Sequence, residues 1–246
     1  MKNEINENEP LLVASVTSSA FLMDCIDGMK QYPDKYFDLA IVDPPYGIDS
    51  KISTTSGLNK GNKFAQLYNE KRWDKFRPTN EYWNELLRVS KNQIVCGGNY
   101  FAENLPVSRG WIVWDKQGEG VTSVNNELMW TSFDVSIKTF SRCHGLDKGF
   151  MAKGTDKVFH PTQKPVKLYD WLLHNYAKPN DLILDTHAGS MSSVIACLKN
   201  GYNITAFEID KEYFEKGKKR VEDFISQGNI FMEQPKINFI DTYSNE

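Results

Sequence analysis

The stretch Phe37-Asp38-Leu39-Ala40-Ile41-Val42-Asp43-Pro44-Pro45-Tyr46 decides the fold. Its first six residues have the length and the apolar, β-branched content of a buried strand in a parallel sheet. The tetrad at 43–46 therefore falls at the carboxyl end of that sheet, where open α/β folds place ligands. Pro44 and Pro45 stiffen the turn and leave carbonyls without neighbouring N–H groups. A carboxylate, a rigid carbonyl and an aromatic face are thus brought close together. A planar base stacked on Tyr46 can donate from its NH2 group to Asp43 and to the Pro44 carbonyl.

That arrangement suits chemistry on an exocyclic amine. The amine nitrogen of adenine is a poor nucleophile because its lone pair is delocalised into the ring. Two acceptors that take its hydrogens draw it towards a tetrahedral shape and aim the lone pair at an electrophile, which is preorganisation rather than strong base catalysis. The electrophile needs a good leaving group, and S-adenosylmethionine fits, since its sulfonium departs as a neutral thioether. The plainer alternative is that Asp-Pro-Pro-Tyr merely ends a strand.

A second strand-turn-helix unit begins at Leu182-Ile183-Leu184-Asp185 and runs through Thr186-His187-Ala188-Gly189-Ser190 into a helical stretch at 191–199. Small residues at Ala188, Gly189 and Ser190 let a ligand approach the backbone, and a helix N-terminus offers N–H groups to a carboxylate. After the stop at Asn200-Gly201, a strand at 203–207 ends in Glu208, an acidic residue placed to hold ribose hydroxyls. A glycine-containing turn of this kind also occurs in α/β proteins at large.

With these two units in hand, the chain resembles the DNA amino-methyltransferases, in the circularly ordered β-type branch where the Asp-Pro-Pro-Tyr tetrad precedes the cofactor loop. Further stretches carry the likeness. Phe21-Leu22-Met23-Asp24-Cys25 looks like the family's segment against the cofactor adenine, and Ile94-Val95-Cys96-Gly97-Gly98-Asn99 like a core strand. Residues 110–116 look like the next strand, and His160-Pro161-Thr162-Gln163-Lys164-Pro165 like a signature preceding a helix. The resemblance implies an α/β, Rossmann-like S-adenosylmethionine-dependent methyltransferase fold, with a mixed, mostly parallel sheet and helices on both faces. It implies catalysis by Asp43, Pro44, Pro45 and Tyr46. It places S-adenosyl-L-methionine among Asp24, Asp43, Lys164, Asp185, Thr186, His187, Ala188, Gly189, Ser190 and Glu208. An Asp at the head of the tetrad favours adenine N6 over cytosine N4, whose enzymes more often begin with Ser, and over RNA substrates, whose enzymes more often begin with Asn. Glu127 stands where the family tends to carry an acidic residue.

Two positions depart from the family pattern. His187 replaces a common phenylalanine, and Met191 replaces the second glycine of Gly-Ser-Gly. In the left-handed conformation Met191 would carry roughly 1 kcal/mol or more of strain and could crowd the cofactor. Ser190 makes a reasonable N-cap, so Met191 is expected to be the first helical residue. The departure also raises an alternative, a DNA-binding or regulatory subunit that keeps the fold and binds cofactor poorly.

Composition sets the bounds. The 246 residues, 40% of them apolar, suit one α/β domain over 1–246. No apolar run approaches the roughly 20 residues that span a bilayer, and the acidic, polar start is unlike an export signal, so a cytoplasmic protein without a membrane partner is expected. Cys25, Cys96, Cys143 and Cys197 are widely separated and read as reduced thiols. Cys143, His144 and His160 lack the close pairing of a zinc site, and no metal is expected.

A net charge of −3 speaks against nucleic acid until its distribution is followed. Lys51, Lys60, Lys63, Lys71, Arg72, Lys75 and Arg77 meet only Glu70 and Asp74 in their segment, and a second basic segment runs from Lys138 to Lys167. Both flank the expected site, so DNA phosphates can be gripped locally. Lys51, Lys63, Lys71, Arg72, Trp73, Arg142 and Lys153 are the candidate DNA contacts, with Trp73 able to stack on bases or to anchor the loop on the core. Residues 51–77 are expected to form a mobile basic loop. Residues 137–159, glycine-rich and irregular, are the candidate target-recognition segment. Its shortness leaves room for a homodimer, and a partner restriction nuclease is a further expectation.

The remaining elements follow from pattern. Thr79 caps a helix that turns Trp83, Leu86 and Leu87 inward. Strands are expected at 93–97, 111–114 and 126–132, and helices at 164–176 and 211–225. The chain beyond Gln227 is expected to be peripheral.

Overall fold

A computed structural model describes residues 17–48, 77–116, 126–141, 159–160, 163–227 and 235–243. The stretch 37–42 forms β2 (Phe37–Val42), and the second unit supplies β7 (Leu182–Asp185). They lie side by side in a nine-stranded sheet with β1 (Ser18–Leu22), β3 (Ser90–Cys96), β4 (Trp111–Asp115), β5 (Asn126–Thr131), β6 (Lys138–Ser141), β8 (Asn203–Glu208) and β9 (Ile237–Asp241). The order is β6-β4-β5-β3-β2-β7-β8-β1-β9. β5 pairs antiparallel with β3 and β4, and the other pairings are parallel.

Alternation along the strands divides the interior into two cores. Leu39, Ile41, Ile183 and Ile204 face α3 (Val166–Tyr176), α4 (Ser192–Asn200) and α5 (Lys211–Ser226), which bury Leu168, Leu172, Val194, Phe214 and Val221. Ala40, Val42, Leu184 and Phe207 face α1 (Cys25–Met29) and α2 (Asn80–Val89), which bury Met29, Tyr82, Trp83 and Leu86. A period-two pattern with both faces apolar requires this covering by helices on either side. Each fully buried large side chain contributes about 1.5–3 kcal/mol. At the amino ends, Asp38 ties the two central strands together, accepting from the Leu182 N–H at 2.9 Å.

The connection from β2 leads to β3 on one side, and that from β7 leads to β8 on the other. The chain thus reverses its direction of progress between β2 and β7, and a crevice opens at their carboxyl ends. Both candidate turns border it.

Several expectations need correction. Met191 is not the first helical residue: it adopts φ 58, ψ 30, the left-handed region, immediately before α4. Its N–H donates to the Ala188 carbonyl at 2.7 Å, and its fully buried side chain packs against α5, where a methyl at Gly217 would lie 2.8 Å from Met191 Cγ. Burial of the thioether chain offsets the backbone strain. Within 137–159, residues 138–141 are not irregular, because Phe140 is buried and they pair with β4 as an edge strand. The chain beyond Gln227 is not merely peripheral either, since β9 pairs along the whole of β1. On α2, Leu87 is only half-buried and Tyr82 takes the inward position.

Cys25, Cys96 and Cys197 are free thiols, Cys25 half-buried and the others buried; Cys143 lies outside the described residues. Among the described residues no helix is long and apolar enough to cross a membrane.

Candidate active site

Asp43 emerges from β2 into a charged cluster inside the protein. Its Oδ2 accepts from Lys164 Nζ at 2.7 Å, and its Oδ1 lies 2.8 Å from the Tyr46 hydroxyl. Lys164 comes from the segment just before α3, and it also meets Glu127 Oε1 of β5 at 3.0 Å. The Tyr46 hydroxyl is 3.0 Å from that same Glu127 oxygen, so its single hydrogen is shared between two carboxylates. Lys116, just past β4, closes the chain of charges by pairing with Glu127 Oε2 at 2.9 Å.

Two acids and two ammoniums therefore offset one another. Burial pushes the Asp43 carboxyl up, against the pull of Lys164. Glu127 is half-buried and carries the same penalty, yet Lys164 and Lys116 outweigh it and hold the carboxyl at about 2. Burial works against the charge on Lys164, but Asp43 and Glu127 hold its ammonium above the ordinary lysine range. Asp43, Cys96 and Glu127 gather ligand atoms within 4.8 Å of one another, and the Lys164 ammonium already supplies positive charge to that cluster.

Tyr46 is clamped as a rigid ring. Tyr100 stacks on it at 4.9 Å and 17°, and Phe101 meets it edge-on at 6.0 Å. Gly97, at φ +64, is needed for the close approach, since a methyl there would come within 2.5 Å of the Tyr46 ring. Arg77 is drawn into the same wall: it donates to the Tyr100 carbonyl, pairs with Glu103 at 2.7 Å and lies 5.5 Å from the centre of the Phe101 ring.

The second turn handles its acids differently. Asp185 is buried at the end of β7, where Oδ1 accepts from the His187 N–H at 3.0 Å and Oδ2 from the Ser193 hydroxyl. Burial raises its carboxyl to about 6. Glu208, at the end of β8, accepts from the Gly189 N–H at 2.7 Å and the Asp210 N–H at 2.8 Å, and burial raises it to about 7. Asp24, beyond β1, caps α1 by accepting from the Ile26 N–H at 2.8 Å. Three acidic residues therefore stand at the carboxyl ends of adjacent strands, and no ammonium pairs with them among the described residues.

The rest of the turn is braced from both cores. Thr186 links the Tyr82 hydroxyl and His187 Nδ1, each at 2.8 Å, and burial lowers the imidazole to about 4, so His187 is neutral. Ala188 donates to the Phe207 carbonyl at 2.8 Å. Arg220 of α5 reaches back to the Ser190 carbonyl at 2.7 Å and the Ser192 hydroxyl at 2.9 Å.

The structure thus brings Asp43, Tyr46 and Lys164 together, and gathers Asp24, Asp185, Thr186, His187, Ala188, Gly189, Ser190 and Glu208 along the neighbouring strand ends. Lys164 stands on the tetrad side of the crevice. Pro44 is buried and Pro45 half-buried in the turn. Lys51, Lys63, Lys71, Arg72, Trp73, Arg142 and Lys153 lie outside the described residues, as do Pro161 and Thr162 of the hexapeptide. Sequence reasoning gave no role to Lys116 or Arg220 and only a family position to Glu127. The signal for Arg220 was a cation within the apolar stripe Tyr213, Phe214, Gly217, Val221 of α5.

Comparison with known proteins points to a family. Residues 108–219 match the family model described as DNA methylase, which covers N6 and N4 amino-methyltransferases. This match and the curated relatives support the DNA amino-methyltransferase family. It is 26% identical to the Type II methyltransferase M.HinfI of Haemophilus influenzae, over 81% of this chain and 67% of that one. It is 24% identical to the Type II methyltransferase M1.MboII of Moraxella bovis, over 88% of this chain and 96% of that one. Among solved structures, TTHA0409 of Thermus thermophilus, complexed with S-adenosyl-L-methionine, shares the fold with a TM-score of 0.57 at 13% identity, covering 92% of this chain and all of the other. The Rossmann-like methyltransferase fold implied by the sequence motifs is therefore the observed one.

Proposed function

We propose that this protein is a site-specific DNA adenine N6 methyltransferase that uses S-adenosyl-L-methionine. The observation that carries the proposal is the half-buried Asp43 carboxylate, fixed at the β2/β7 crevice on a proline-stiffened turn beside the acidic ends of β7, β8 and β1.

The second turn suits such a cofactor on chemical grounds. Asp24, Asp185 and Glu208 offer acceptors to hydroxyl and ammonium donors, and Glu208 is the residue that would hold the ribose. Ile209, beside it and exposed, offers apolar surface to an adenine ring. A methyl at Gly189 would meet nothing nearer than His160 at 3.4 Å, so the turn has room for close approach of a ligand. When bound, the cofactor supplies an electrophilic methyl group on a sulfonium that leaves as a thioether.

Asp43 and the Pro44 carbonyl orient the amine of a flipped adenine by accepting its two hydrogens. Each Asp43 oxygen keeps a second lone pair beyond its contact with Tyr46 or Lys164. As the nitrogen gains the methyl group it must lose a proton, and Asp43, raised by burial, is placed to receive it and pass it to water. Tyr46 supplies the fixed ring that orients the base. The basic segments that include Lys51, Lys63, Lys71, Arg72, Arg142 and Lys153 would hold DNA phosphates. A cytoplasmic role, with a restriction nuclease as partner, is part of this reading, and relatives named as Type II methyltransferases support site-specific DNA methylation. The silent-subunit alternative rested on Met191 and on the short recognition segment; burial of the Met191 side chain beside Gly217 favours the active enzyme on the first ground.

The test is nucleoside mass spectrometry of DNA incubated with the protein and labelled cofactor. N6-methyladenine is expected, and Asp43→Ala should reduce its formation by about 10²- to 10³-fold. N4-methylcytosine as sole product would overturn the choice of base, and undiminished methylation by Asp43→Ala would overturn the role of Asp43.

A further inference from the structure

The tetrad carries a difficulty that the methyltransferase reading must meet. The carboxylate meant to accept the target amine is already bound by a buried ammonium, Lys164 Nζ at 2.7 Å. An acceptor neutralised in this way polarises an amine weakly, whereas a bare carboxylate in the same interior would take up a proton. The site needs a cation that is present in the free protein and able to withdraw.

We infer that Glu127 is the positioning residue that makes this withdrawal possible: it takes Lys164 from Asp43 when the target amine enters. The inference deepens the proposed function and rests on it. Glu127 Oε1 already lies 3.0 Å from Lys164 Nζ, so the ammonium sits between two carboxylates and needs only a small shift to favour the second. Lys116 holds the other Glu127 oxygen at 2.9 Å, and its own Nζ lies 4.6 Å from the centre of the Trp114 ring. Glu127 is thereby kept ionised and aimed, whichever way Lys164 leans. Tyr46 follows the same exchange, since its hydroxyl faces both Asp43 and Glu127. No proton moves in the exchange. Lys164 stays an ammonium, and the proton shed by the methylated amine goes to Asp43 and then to water.

The groups that set the charge state of Asp43 are Lys164, Tyr46, Glu127 and Cys96 in the cluster, with Lys116 behind Glu127 and Asp185 on the neighbouring strand. Tyr82 and Tyr169, also facing this interior, are held neutral by burial. Glu127 acts on Asp43 as a like charge, and removing it should ease ionisation of Asp43. Removing Lys116 leaves the cluster one positive charge short and should do the reverse.

The experiment is a single-turnover pH–rate profile of DNA methylation for the full-length wild type, Glu127→Gln, Glu127→Asp and Lys116→Gln, with cofactor affinity measured alongside. Glu127→Gln should lower the rate at neutral pH by about tenfold to a hundredfold, with cofactor affinity within about twofold, and move the acid limb down by about one pH unit. Lys116→Gln should move that limb up, and Glu127→Asp should restore much of the rate. Limbs that stay in place, or move the same way in both charge variants, overturn the inference, because a merely structural role lowers rates without shifting the profile. Should Glu127→Gln fail to fold, Lys116→Gln decides alone: an upward limb supports the exchange and an unmoved one refutes it. A wild type that transfers no methyl group to DNA would instead strike down the proposed function and this inference with it.

Discussion

Two turns at the ends of adjacent strands, residues 43–46 after β2 and 185–190 after β7, bury acids in opposite ways. The first matches Asp43 with the Lys164 ammonium brought from 121 residues along the chain, and beside it Glu127 of β5 pairs with Lys164 and Lys116. The second satisfies Asp185 and Glu208 with N–H and hydroxyl groups that lie near them in space, and leaves their acidity depressed by burial. Paired charge fixes geometry before a substrate arrives. Unpaired acidity leaves room for a cationic ligand to complete the site. On the proposed function, positioning and binding are divided between two neighbouring turns.

The largest effect that can test this contrast is on stability. Lys164→Met would leave Asp43 and Glu127 facing each other in the interior with Lys116 alone to offset them. A loss of about 3–5 kcal/mol is expected in urea unfolding, since breaking a buried pair from one side strands the other charge. The corresponding change in the second turn, Ser193→Ala, removes one donor from Asp185 and should cost only about 1–3 kcal/mol. Equal losses would erase the distinction between the two turns. The acid dependence has a sign as well. Glu127, held at about 2 against an ordinary 4.5, contributes stability that is complete above 4.5 and is lost as pH falls towards 2.

A smaller effect concerns Met191. Replacing it with Gly relieves the left-handed strain but empties a fully buried position beside Gly217, and a net loss of about 2 kcal/mol is expected in thermal or urea unfolding. A gain in stability would show that the strain outweighs the packing.

What could be read in the sequence follows the same division. Strand β2, strand β7 and the acid at the end of β8 were legible because apolar runs of strand length end in unmistakable residues: Asp-Pro-Pro-Tyr, Asp185, Glu208. The cap at Thr79 and the stop at Gly201 are equally local signals. The partners of Asp43 were not legible in that way. Lys164 is 121 residues away in sequence and Glu127 lies on the antiparallel β5, so their meeting depends on strand order rather than on any pattern within a window. Met191 was misjudged for a related reason. The choice between a left-handed and a helical conformation there is made by α5, whose Gly217 leaves a slot for the side chain. Edge strands β6 and β9 escaped notice because four or five residues, mostly exposed or half-buried, carry little signal until a neighbour pairs with them.

The finest test of the contrast is the pH dependence of cofactor binding. Asp185 and Glu208 have values of about 6 and 7, raised from 3.8 and 4.5 by burial. Because the folded protein holds these protons more tightly than the unfolded chain, their contribution to stability is greatest at low pH and is lost as pH rises towards 7. A ligand carrying ammonium and sulfonium charges favours the ionised acids, so binding must release protons in that same window. Affinity for S-adenosyl-L-methionine should therefore rise by about tenfold from pH 6 to pH 8 and level off above. Calorimetry in buffers of different ionisation enthalpy would read the proton release directly. Glu208→Gln should weaken binding at pH 8 and confine the remaining dependence to the region of Asp185, near pH 6. Affinity independent of pH would mean that the acids of the second turn are as fully compensated as Glu127, and the two turns would then differ in shape alone.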